Sequence, residues 1–440
     1  MKPRPPLPDG PFLVLGLARS GQAAVSALRV RGAEVAGADI GHPEAGHLAE
    51  AGVELHLGSS GEELLSRART VIKSPGVPGS APAVAAARSA GLTVMGELEL
   101  AWRLIPNEFV AVTGTNGKTT TTELIGHIHR EAGRPVAVAG NVGTPASSLV
   151  GGLDPEVTVV CECSSFQLED TLGFAPEGAV LLNIGQDHLD RHGDLAAYTA
   201  AKLQVFARQA NEDVAVYPCD LGVEDLGGCA RRLCFGEGGE AELAARAGQL
   251  FWVDEALIAE EEIRLRGAHN RENAMAAAAI SLARGIEPDA VRAGLRTFTG
   301  VAHRLEEVAE RRGVLYVNDS KSTNIESTVV ALRSFEPGSV HLILGGQGKG
   351  QDFKRLRDDV ERACAHVYLI GEDAPRIGAA LKRVRPRVTQ CGDLERGVGV
   401  ARRLARRGQV VLLSPACASY DQFRDFEDRG QRFRELVTAR

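Results

Sequence analysis

The chain lacks any apolar run long enough to cross a membrane. Its first apolar run, residues 12–17, is far shorter than the roughly 20 residues that a spanning helix needs. The start of the chain is rich in proline and has no apolar core of the kind found in export signals. We therefore expect a cytoplasmic protein without membrane insertion.

Closely spaced cysteine motifs are also missing. The eight cysteines are scattered without a CxxC pair, and Cys161 and Cys163 are the only two that lie close together. Such scattered cysteines are typical of reduced intracellular thiols. We expect all eight to be reduced, most of them packed as small hydrophobic residues.

An excess of positive charge is absent, and lysine is scarce. The 50 basic and 57 acidic residues give a net charge of −7, and the basic residues form no long tracts. A nucleic-acid partner is therefore not indicated. Only eight of the basic residues are lysine, and four of these lie in or beside the motifs described below: Lys118, Lys202, Lys321 and Lys349. A lysine can supply a compact charge or a reactive amine where arginine cannot.

What is present is a repeated pattern of short apolar run, glycine turn and helical stretch. The composition, 44% hydrophobic and 24% charged, is that of an ordinary globular protein, and 440 residues allow several domains. The pattern predicts an α/β fold with parallel sheets and helices on both faces. We expect strands at 12–17, 34–38, 71–73, 109–113, 157–161, 179–182, 314–317, 341–344, 367–370 and 410–413, and helices at 20–31, 120–131 and 195–210.

Three domains are expected from this pattern. Residues 1–96 form a Rossmann-like N-terminal domain, residues 97–300 a central phosphate-loop domain with a parallel sheet, and residues 301–440 a C-terminal Rossmann-like α/β domain. In open α/β sheets, ligands bind at the carboxyl ends of the strands. The polar motifs of this chain follow the predicted strands, which indicates that they belong to binding sites.

The strongest local motif is the turn TGTNGKTT at 113–120. Backbone amides of such a turn can close around phosphate oxygens, and the following helix directs its positive end at them. Lys118 would reach the terminal phosphates, and the hydroxyl of Thr119 would ligate Mg²⁺. The strict phosphate-loop pattern requires glycine at Val112, and Gly114 stands in instead. The alternative is a plain turn between strand and helix.

Three further side chains are candidates for the same site. Glu162 follows a strand in which neighbouring side chains alternate, so it faces away from Cys161 and Cys163, and a carboxylate beside a phosphate loop suits Mg²⁺. His188, in a polar stretch after the next strand, could ligate metal or contact phosphate. Lys202 lies on a predicted helix. The alternatives are a solvated acid, a structural histidine and a solvated surface lysine.

Taken together, these segments closely resemble the Mur ligases of peptidoglycan synthesis. The resemblance covers nearly the whole chain. It rests on the turn at 16–21, SPG at 74–76, the loop at 114–119, GNVG at 140–143, Glu162 with SSFQLE, DH at 187–188, GAHNREN at 267–273, FTG at 298–300, HR at 303–304, NDSKSTN at 318–324, GGQGK at 345–349 and SPACASYDQF at 414–423.

The resemblance implies an ATP-dependent ligase that adds D-glutamate to UDP-N-acetylmuramoyl-L-alanine, and it assigns roles to matching positions. Lys118 would act on the phosphates, and Lys202 would be carbamylated, so that it becomes an anion. Two Mg²⁺ ions would be held by Thr119, Glu162, His188 and carbamylated Lys202. ATP would be bound by Gly114, Thr115, Asn116, Gly117, Lys118, Thr119, Thr120, Asn270, Asn273, Arg304 and Asp319. The UDP substrate would contact Gly16, Leu17, Ala18, Arg19, Asp39, Ser74 and Asn141. D-glutamate would be received by Lys321, Thr323, Lys349, Ser419 and Phe426.

Two features depart from expected patterns. Gln347 stands where some relatives carry Asp, which affects the detail of the glutamate pocket. The turn at 16–21 lacks GxGxxG spacing, so a dinucleotide is not indicated. The partners implied are small-molecule substrates, and we expect a monomer.

The chemistry implied is activation of a carboxylate. Phosphorylation by ATP removes its charge and supplies a leaving group, and an amine then attacks the acyl phosphate through a tetrahedral intermediate. One alternative is another Mur-type or folylpolyglutamate-type ligase that adds a different amino acid or extends folate. A second is a nucleotide-dependent switch without ligation, in which Lys202 would be unnecessary.

Overall fold

The structure is a computed structural model that describes residues 2–187, 189–238, 240–265, 267–348 and 350–439. The chain divides into two compact units, residues 1–298 and 299–440. None of the described helices combines the length and the apolar character that a membrane span requires.

The first unit begins with a five-stranded parallel sheet in the order β3-β2-β1-β4-β5. Because side chains alternate along each strand, Val14 and Ile72 enter a core on one face, while Leu13 and Val71 enter a second core on the other. The strands are β1 (Phe12–Leu15), β2 (Val35–Asp39), β3 (Glu54–Leu57), β4 (Thr70–Lys73) and β5 (Thr93–Gly96). The helices are α1 (Arg19–Val30), α2 (Gly46–Glu50), α3 (Pro82–Ser89) and α4 (Glu97–Leu104), with a 3-10 turn at Glu62–Arg67.

The second sheet of this unit has the order β14-β13-β12-β11-β10-β9-β6-β8-β7 and is parallel except for its last two pairings, β12 with β13 and β13 with β14. Its strands are β6 (Phe109–Thr113), β7 (Val136–Gly140), β8 (Thr158–Glu162), β9 (Gly178–Leu181), β10 (Val214–Pro218), β11 (Arg231–Glu237), β12 (Leu243–Arg246), β13 (Gln249–Trp252) and β14 (Glu255–Ala259). The helices are α5 (Lys118–Glu131), α6 (Ser165–Leu168), α7 (Leu189–His192), α8 (Leu195–Leu203), α9 (Ala268–Ala283) and α10 (Pro288–Thr297), with 3-10 turns at Ala146–Leu149 and Glu260–Glu262. Strand β6 lies between β8 and β9, so the ends of three strands meet at the phosphate-loop motif.

Buried carboxylates join the two sheets of the first unit through helix α4. Glu99 is fully buried and accepts hydrogen bonds from the backbone amides of Leu172, Gly173 and Phe174. Glu97, also buried, accepts bonds from the backbone amide and hydroxyl of Ser147. Because a buried carboxylate needs such donors, these bonds hold the first sheet's last helix against the second sheet.

The second unit contains a six-stranded sheet in the order β15-β16-β20-β17-β18-β19, in which only β15 runs antiparallel. Its strands are β15 (Glu306–Arg311), β16 (Val314–Asn318), β17 (Val340–Gly345), β18 (Cys364–Ile370), β19 (Arg387–Gly392) and β20 (Val410–Leu413). The helices are α11 (Ile325–Arg333), α12 (Arg357–Ala363), α13 (Ala374–Ala380), α14 (Leu394–Leu404) and α15 (Phe426–Thr438), with a 3-10 turn at Phe353–Leu356. Separate cores cover its two faces.

The predicted α/β fold with mainly parallel sheets is confirmed, and each strand expected from the sequence is present. The sequence did not predict strands β3, β5, β7, β10–β15 and β19. Several of these carry polar or charged side chains, but β7 (VAVAG) and β10 (VAVYP) are short apolar runs, whose periodicity alone does not distinguish a strand from other buried structure. The helix predicted at 195–210 is wrong in its length, since α8 ends at Leu203. The amides of Val205 and Phe206 bond three residues back in a tight turn, which brings both side chains into the core.

The expectation of eight reduced cysteines is wrong for two of them. Cys219 and Cys234 form a disulfide. Cys234 lies on β11 and Cys219 directly follows the neighbouring strand β10, so their Cα atoms are 5.0 Å apart, within the range a disulfide requires. Sequence spacing does not show which strands become neighbours. The other six are free thiols, all buried except Cys229.

Candidate active site

The phosphate-loop motif forms a tight turn that only glycine can make at two positions. Gly114 and Gly117 have φ values of 151° and 84°. A Cβ atom on Gly117 would lie 2.1 Å from the side-chain oxygen of Asn273, which packs directly against the loop. The Lys118 ammonium donates to the carbonyl oxygens of Gly114 and Thr115 at 2.9 and 2.8 Å. The predicted loop and its lysine are therefore folded together at the start of α5.

Glu162 lies beside this loop at the end of β8. It pairs with Val112 in the register of β6, and its carboxylate is 3% exposed. Its Oε1 accepts a hydrogen bond of 3.0 Å from the side chain of Asn141. Cys161 and Cys163 enter the core on the other face, as the alternation of a strand requires. The interpretation of Glu162 as a solvated acid is therefore excluded.

Lys202 is buried and faces the same loop. Its ammonium is 2.7 Å from the carbonyl oxygen of Gly114 and 4.5 Å from the ring centre of Tyr198. Burial, together with the positive charge of Lys118, lowers the pKa of Lys202 to about 7. The alternative of a solvated surface lysine is excluded, because the side chain is 1% exposed. His188 lies outside the described residues.

The predicted UDP-binding residues, except Asn141, lie at the carboxyl edge of the first sheet. The Asp39 carboxylate accepts hydrogen bonds of 2.6 and 2.7 Å from the backbone amides of Leu17 and Gly41, and it thereby holds the turn after β1 in place. A Cβ on Gly21 would lie 1.8 Å from the carbonyl oxygen of Gly16, which explains the glycine spacing of that turn. A Cβ on Gly16 would meet the side chain of Ser74 at 2.9 Å, so the two loops are in contact.

One predicted UDP-binding side chain reaches the second sheet. Arg19 donates to the carbonyl oxygen of Gly143 at 2.7 Å. Gly143 belongs to the loop that also carries Asn141, whose amide bonds Glu162. The turn at 16–19, the loop at 140–143 and the end of β8 are thus linked within the first unit.

The predicted amino-acid site lies at the carboxyl edge of the third sheet. Strands β16, β20 and β17 are neighbours there, and their loops carry Lys321, Thr323 and Ser419. The hydroxyl of Ser320 donates to the carbonyl oxygen of Phe426 at 2.9 Å, which joins α15 to the same loops. Lys349 lies outside the described residues.

Gln347, the position that departs from some relatives, takes part in this edge through its backbone. It exchanges backbone hydrogen bonds of 2.9 and 3.0 Å with Ala418. A Cβ atom added to the preceding residue, Gly346, would lie 2.3 Å from the carbonyl oxygen of Ala418. The loops after β17 and β20 are therefore closely packed.

The residues expected to bind the nucleoside of ATP are divided between the two units. Asn270 and Asn273 belong to the first unit and share a hydrogen bond of 3.2 Å. Arg304 and Asp319 belong to the second. Asp319 accepts from the hydroxyls of Ser322 and Ser414 at 2.5 and 2.7 Å, and burial raises its pKa to about 6.

Sequence reasoning missed Arg429 of α15. Its side chain is 1% exposed and donates to the hydroxyl and carbonyl oxygens of Ser320 and to the carbonyl oxygens of Cys417 and Ala418. It therefore ties together the loops after β16 and β20. No local pattern marks it, because arginine is the default cation of this chain.

The oxygen donors near the loop fit a divalent cation. Thr119 and Glu162 are both buried, lie on neighbouring elements and offer a hydroxyl and a carboxylate, which are the ligand types Mg²⁺ prefers. Within the described ranges, no group of three or more His, Cys, Asp or Glu side chains is placed to hold a metal.

Comparison with known proteins decides the family. Residues 112–281 match the Mur ligase middle domain, residues 303–417 match the Mur ligase glutamate ligase domain, and residues 11–96 match the MurD-like N-terminal domain of Mur ligases. The chain belongs to the Mur ligase family.

Individual relatives agree with this assignment. A UDP-N-acetylmuramoylalanine–D-glutamate ligase of Pelotomaculum thermopropionicum is 43% identical over 97% of both chains. Among solved structures, a UDP-N-acetylmuramate–alanine ligase of Thermotoga maritima has a TM-score of 0.58 at 19% identity and covers 98% of this Mur ligase and 100% of its own chain. A folylpolyglutamate synthase of Mycobacterium tuberculosis has a TM-score of 0.57 at 18% identity, over 75% and 92% of the two chains. These structural likenesses concern the fold alone.

Proposed function

We propose that this Mur ligase joins D-glutamate to UDP-N-acetylmuramoyl-L-alanine at the expense of ATP, in the synthesis of peptidoglycan precursors. The observation that carries the proposal is the 43% identity, over 97% of both chains, with a relative of that name. The grouping of Lys118, Glu162 and Lys202 around one glycine loop supports it, since a switch without ligation has no need of a buried lysine there. We further propose that the enzyme acts as a monomer in the cytoplasm, where ATP is available.

The reaction begins with a carboxylate that an amine cannot attack. In the proposed mechanism the acceptor carboxylate attacks the γ-phosphate of ATP, and ADP leaves. The charge of Lys118 would stabilise the phosphoryl oxygens during this transfer. The amine of D-glutamate then adds to the acyl carbon, and the tetrahedral intermediate collapses to the amide and inorganic phosphate. Because acyl phosphates hydrolyse in water, the site must limit water access.

Residues of the second sheet are assigned to the metal and the phosphates of ATP, and residues of both units to its nucleoside. Thr119 and Glu162 would hold one Mg²⁺, and His188 with carbamylated Lys202 a second. Bound Mg²⁺ supplies electrostatic stabilisation of phosphoryl oxygens. The loop from Gly114 to Thr120 would bind the phosphates, with Asn270, Asn273, Arg304 and Asp319 assigned to the nucleoside.

Carbamylation of Lys202 has a physical basis in its surroundings. Only a neutral amine reacts with carbon dioxide, and a pKa of about 7 leaves a large fraction of Lys202 neutral at physiological pH. The product is an anion, which would replace the repulsion between Lys202 and Lys118 by attraction.

The UDP substrate is assigned to loops of the first and second sheets, and D-glutamate to loops of the third. Gly16–Arg19, Asp39, Ser74 and Asn141 would receive the UDP substrate. Lys321, Thr323, Lys349, Ser419 and Phe426 would receive D-glutamate. Cationic lysines suit an amino acid that carries two carboxylates.

Amino-acid selectivity tests the proposal. Phosphate release would be measured with ATP, Mg²⁺ and UDP-N-acetylmuramoyl-L-alanine across D- and L-amino acids. We expect stimulation by D-glutamate above all others. Stimulation by another amino acid instead would indicate a different Mur-type ligase, and activity on a folate acceptor with glutamate would indicate the folylpolyglutamate type.

Isotope transfer tests the acyl phosphate. With the acceptor carboxylate labelled with ¹⁸O, we expect one labelled oxygen in each inorganic phosphate released. Complete retention of the label in the product would contradict activation by phosphorylation.

A further inference from the structure

A group of charged side chains lies where three segments of the first unit meet. We name it the junction cluster and define it as Lys73, Glu169, Asp170, Arg191 and His192. Lys73 directly precedes Ser74 and the loop at 74–76. Glu169 and Asp170 follow α6, seven and eight positions after Glu162 in the sequence. Arg191 and His192 end α7, which leads into the helix of Lys202.

Lys73 fixes the N-terminal side of the cluster. Its side chain is fully buried and donates to the carbonyl oxygen of Val77 at 2.7 Å. It is paired with Asp170 at 2.7 Å, and its nitrogen is 3.9 Å from Glu169. A buried ammonium needs such partners. Because Lys73 bonds the carbonyl oxygen of Val77, the loop at 74–76 lies between Lys73 and its own hydrogen-bond acceptor.

Arg191 contacts the same loop from helix α7. One guanidinium nitrogen donates to the carbonyl oxygen of Pro75 at 2.9 Å, and another donates to Glu169 at 2.5 Å. The guanidinium carbon Cζ lies 3.9 Å from the ring centre of Phe166. Arginine can make all three contacts at once because its donors form a planar fork that also stacks on aromatic rings.

Glu169 connects these cations to one another. Its Oε1 accepts the bond from Arg191 and faces Lys73, and its Oε2 lies 3.8 Å from a ring nitrogen of His192. The His192 ring is 5.3 Å from that of Tyr198, which lies on α8 with Lys202. The Tyr198 hydroxyl is 3.2 Å from that of Thr115 in the phosphate loop. Contacts thus run continuously from the loop at 74–76 to the phosphate loop.

We propose that Arg191 is a positioning residue for the UDP substrate: by holding the backbone of Pro75 against Glu169, it fixes the substrate loop relative to the phosphate loop. The inference rests on the proposed function, which assigns Ser74 of that loop to the acceptor. Acceptor and ATP must approach with their reacting atoms in line, and small displacements of a positioning loop reduce such reactions strongly.

The solvent exposure of the Arg191–Glu169 ion pair bears on whether the pair positions the loop or stabilises the fold. The side chains of Arg191 and Glu169 are 17% and 26% exposed. Ion pairs that remain partly in water contribute little to the free energy of unfolding. The ion pair itself is therefore expected to contribute little to stability, and the role proposed for Arg191 rests on its bond to Pro75.

The test compares Arg191→Gln with wild type in the full-length enzyme. Losing a charge-assisted hydrogen bond corresponds to roughly a 10- to 100-fold change in binding. We expect the KM for the UDP substrate to rise by that factor, while the KM for ATP changes by less than about twofold. The dissociation constant of the UDP substrate, measured by calorimetry without ATP, should rise in parallel.

Matched variants accompany this comparison. Arg284 and Glu108 form a similar pair in the same unit, 2.7 Å apart and 23% and 34% exposed, so Arg284→Gln should leave both KM values unchanged. Arg191→Lys keeps the charge without the fork and should give an intermediate KM, and it supplies the measurement if Arg191→Gln does not fold. Glu169→Gln should raise the same KM, and its effect should not add to that of Arg191→Gln, since the two residues share one contact.

Three results would overturn the inference. They are an unchanged KM for the UDP substrate in the Arg191 variants, an equal rise of both KM values, and the same change in Arg284→Gln. The failure of the proposed function is a different result, because wild-type enzyme would then release no phosphate with D-glutamate and the UDP substrate.

Discussion

At the scale of single residues, burial and the nearby charge of Lys118 lower the pKa of the Lys202 amine. Its folded-state pKa of about 7 lies below the ordinary value of 10.5. Between these values the unfolded chain binds more protons than the folded one, so the destabilising effect of burying this lysine decreases as pH rises through that range. The lowered pKa favours the neutral amine that the proposed carbamylation requires.

Lys202→Ala is predicted to lower turnover by about 100-fold or more, because the proposed carbamate ligates metal. Short carboxylic acids added to the variant should restore part of the activity by occupying the vacated position. Phosphate release measures both effects. Lys354→Ala, which changes an exposed lysine, should behave as wild type. Full activity of Lys202→Ala would refute the assigned role.

At the scale of elements, the turn between β6 and α5 combines two constraints at Gly117. Its φ is 84°, and a Cβ there would meet Asn273 on α9 at 2.1 Å. Gly133, near the other end of α5, has a similar φ of 66° but open space around it. An alanine at Gly133 would therefore introduce backbone strain alone, whereas an alanine at Gly117 would add a steric clash with Asn273 on α9.

Gly117→Ala is predicted to raise the KM for ATP at least about tenfold, since Asn273 or the loop must move. Gly133→Ala should leave that KM unchanged and lower the free energy of unfolding by about 1–3 kcal/mol through its positive φ. Steady-state kinetics and denaturant unfolding check the two expectations. Equal effects of both substitutions on the KM for ATP would show that the contact with Asn273 is unimportant.

Strands β17 and β18 carry a stack of buried rings in the second unit. His341 bonds the Tyr368 hydroxyl at 2.7 Å and Gln409 at 2.9 Å, and His366 bonds Thr389 at 2.8 Å. Burial lowers the pKa of both histidines. Each therefore contributes stability that is present above the unfolded-state pKa and is lost as pH falls through the lower, folded-state pKa.

The second unit is predicted to become unstable in mild acid for this reason. The melting temperature of wild type should fall as pH is lowered below about 6.5, the ordinary histidine pKa. The double variant His341→Gln and His366→Gln should show a shallower fall over the same range. Parallel curves for the two proteins would mean that other groups cause the acid sensitivity.

At the scale of the whole molecule, the chain forms two compact units but contains three sheets. Buried Glu97 and Glu99 join the first two sheets, which explains why residues 1–298 form one unit. The division into domains at 1–96, 97–300 and 301–440 remains our proposal, supported by the separate sheets and their separate cores.

Residues 299–440 are predicted to fold alone, because their sheet has a core on each face. The isolated segment should show cooperative thermal unfolding by circular dichroism and should release no phosphate from ATP, since the phosphate loop lies in the other unit. A chain that remains unfolded on its own would show that this unit needs residues 1–298.

Most strands that the sequence predicted are continuous apolar runs, because burial on both faces leaves a clear pattern. The apolar strands β7 and β10 were nevertheless missed. It did not predict β12 to β15, whose alternating and charged residues also occur in loops. It predicted the phosphate loop and Glu162 from local motifs. It could not predict the contacts of Arg429, Arg191 or Glu169, since these contacts join segments distant in sequence.

The sequence alone determined the α/β architecture, the glycine loop with Lys118 and the family, because these depend on local periodicity and on residues adjacent in the chain. Only the tertiary structure decided that Lys202 is buried beside Gly114, that Cys219 bonds Cys234 and that Arg191 meets Pro75. Burial, and with it the pKa of a side chain, is set by the neighbours that folding brings from elsewhere in the chain.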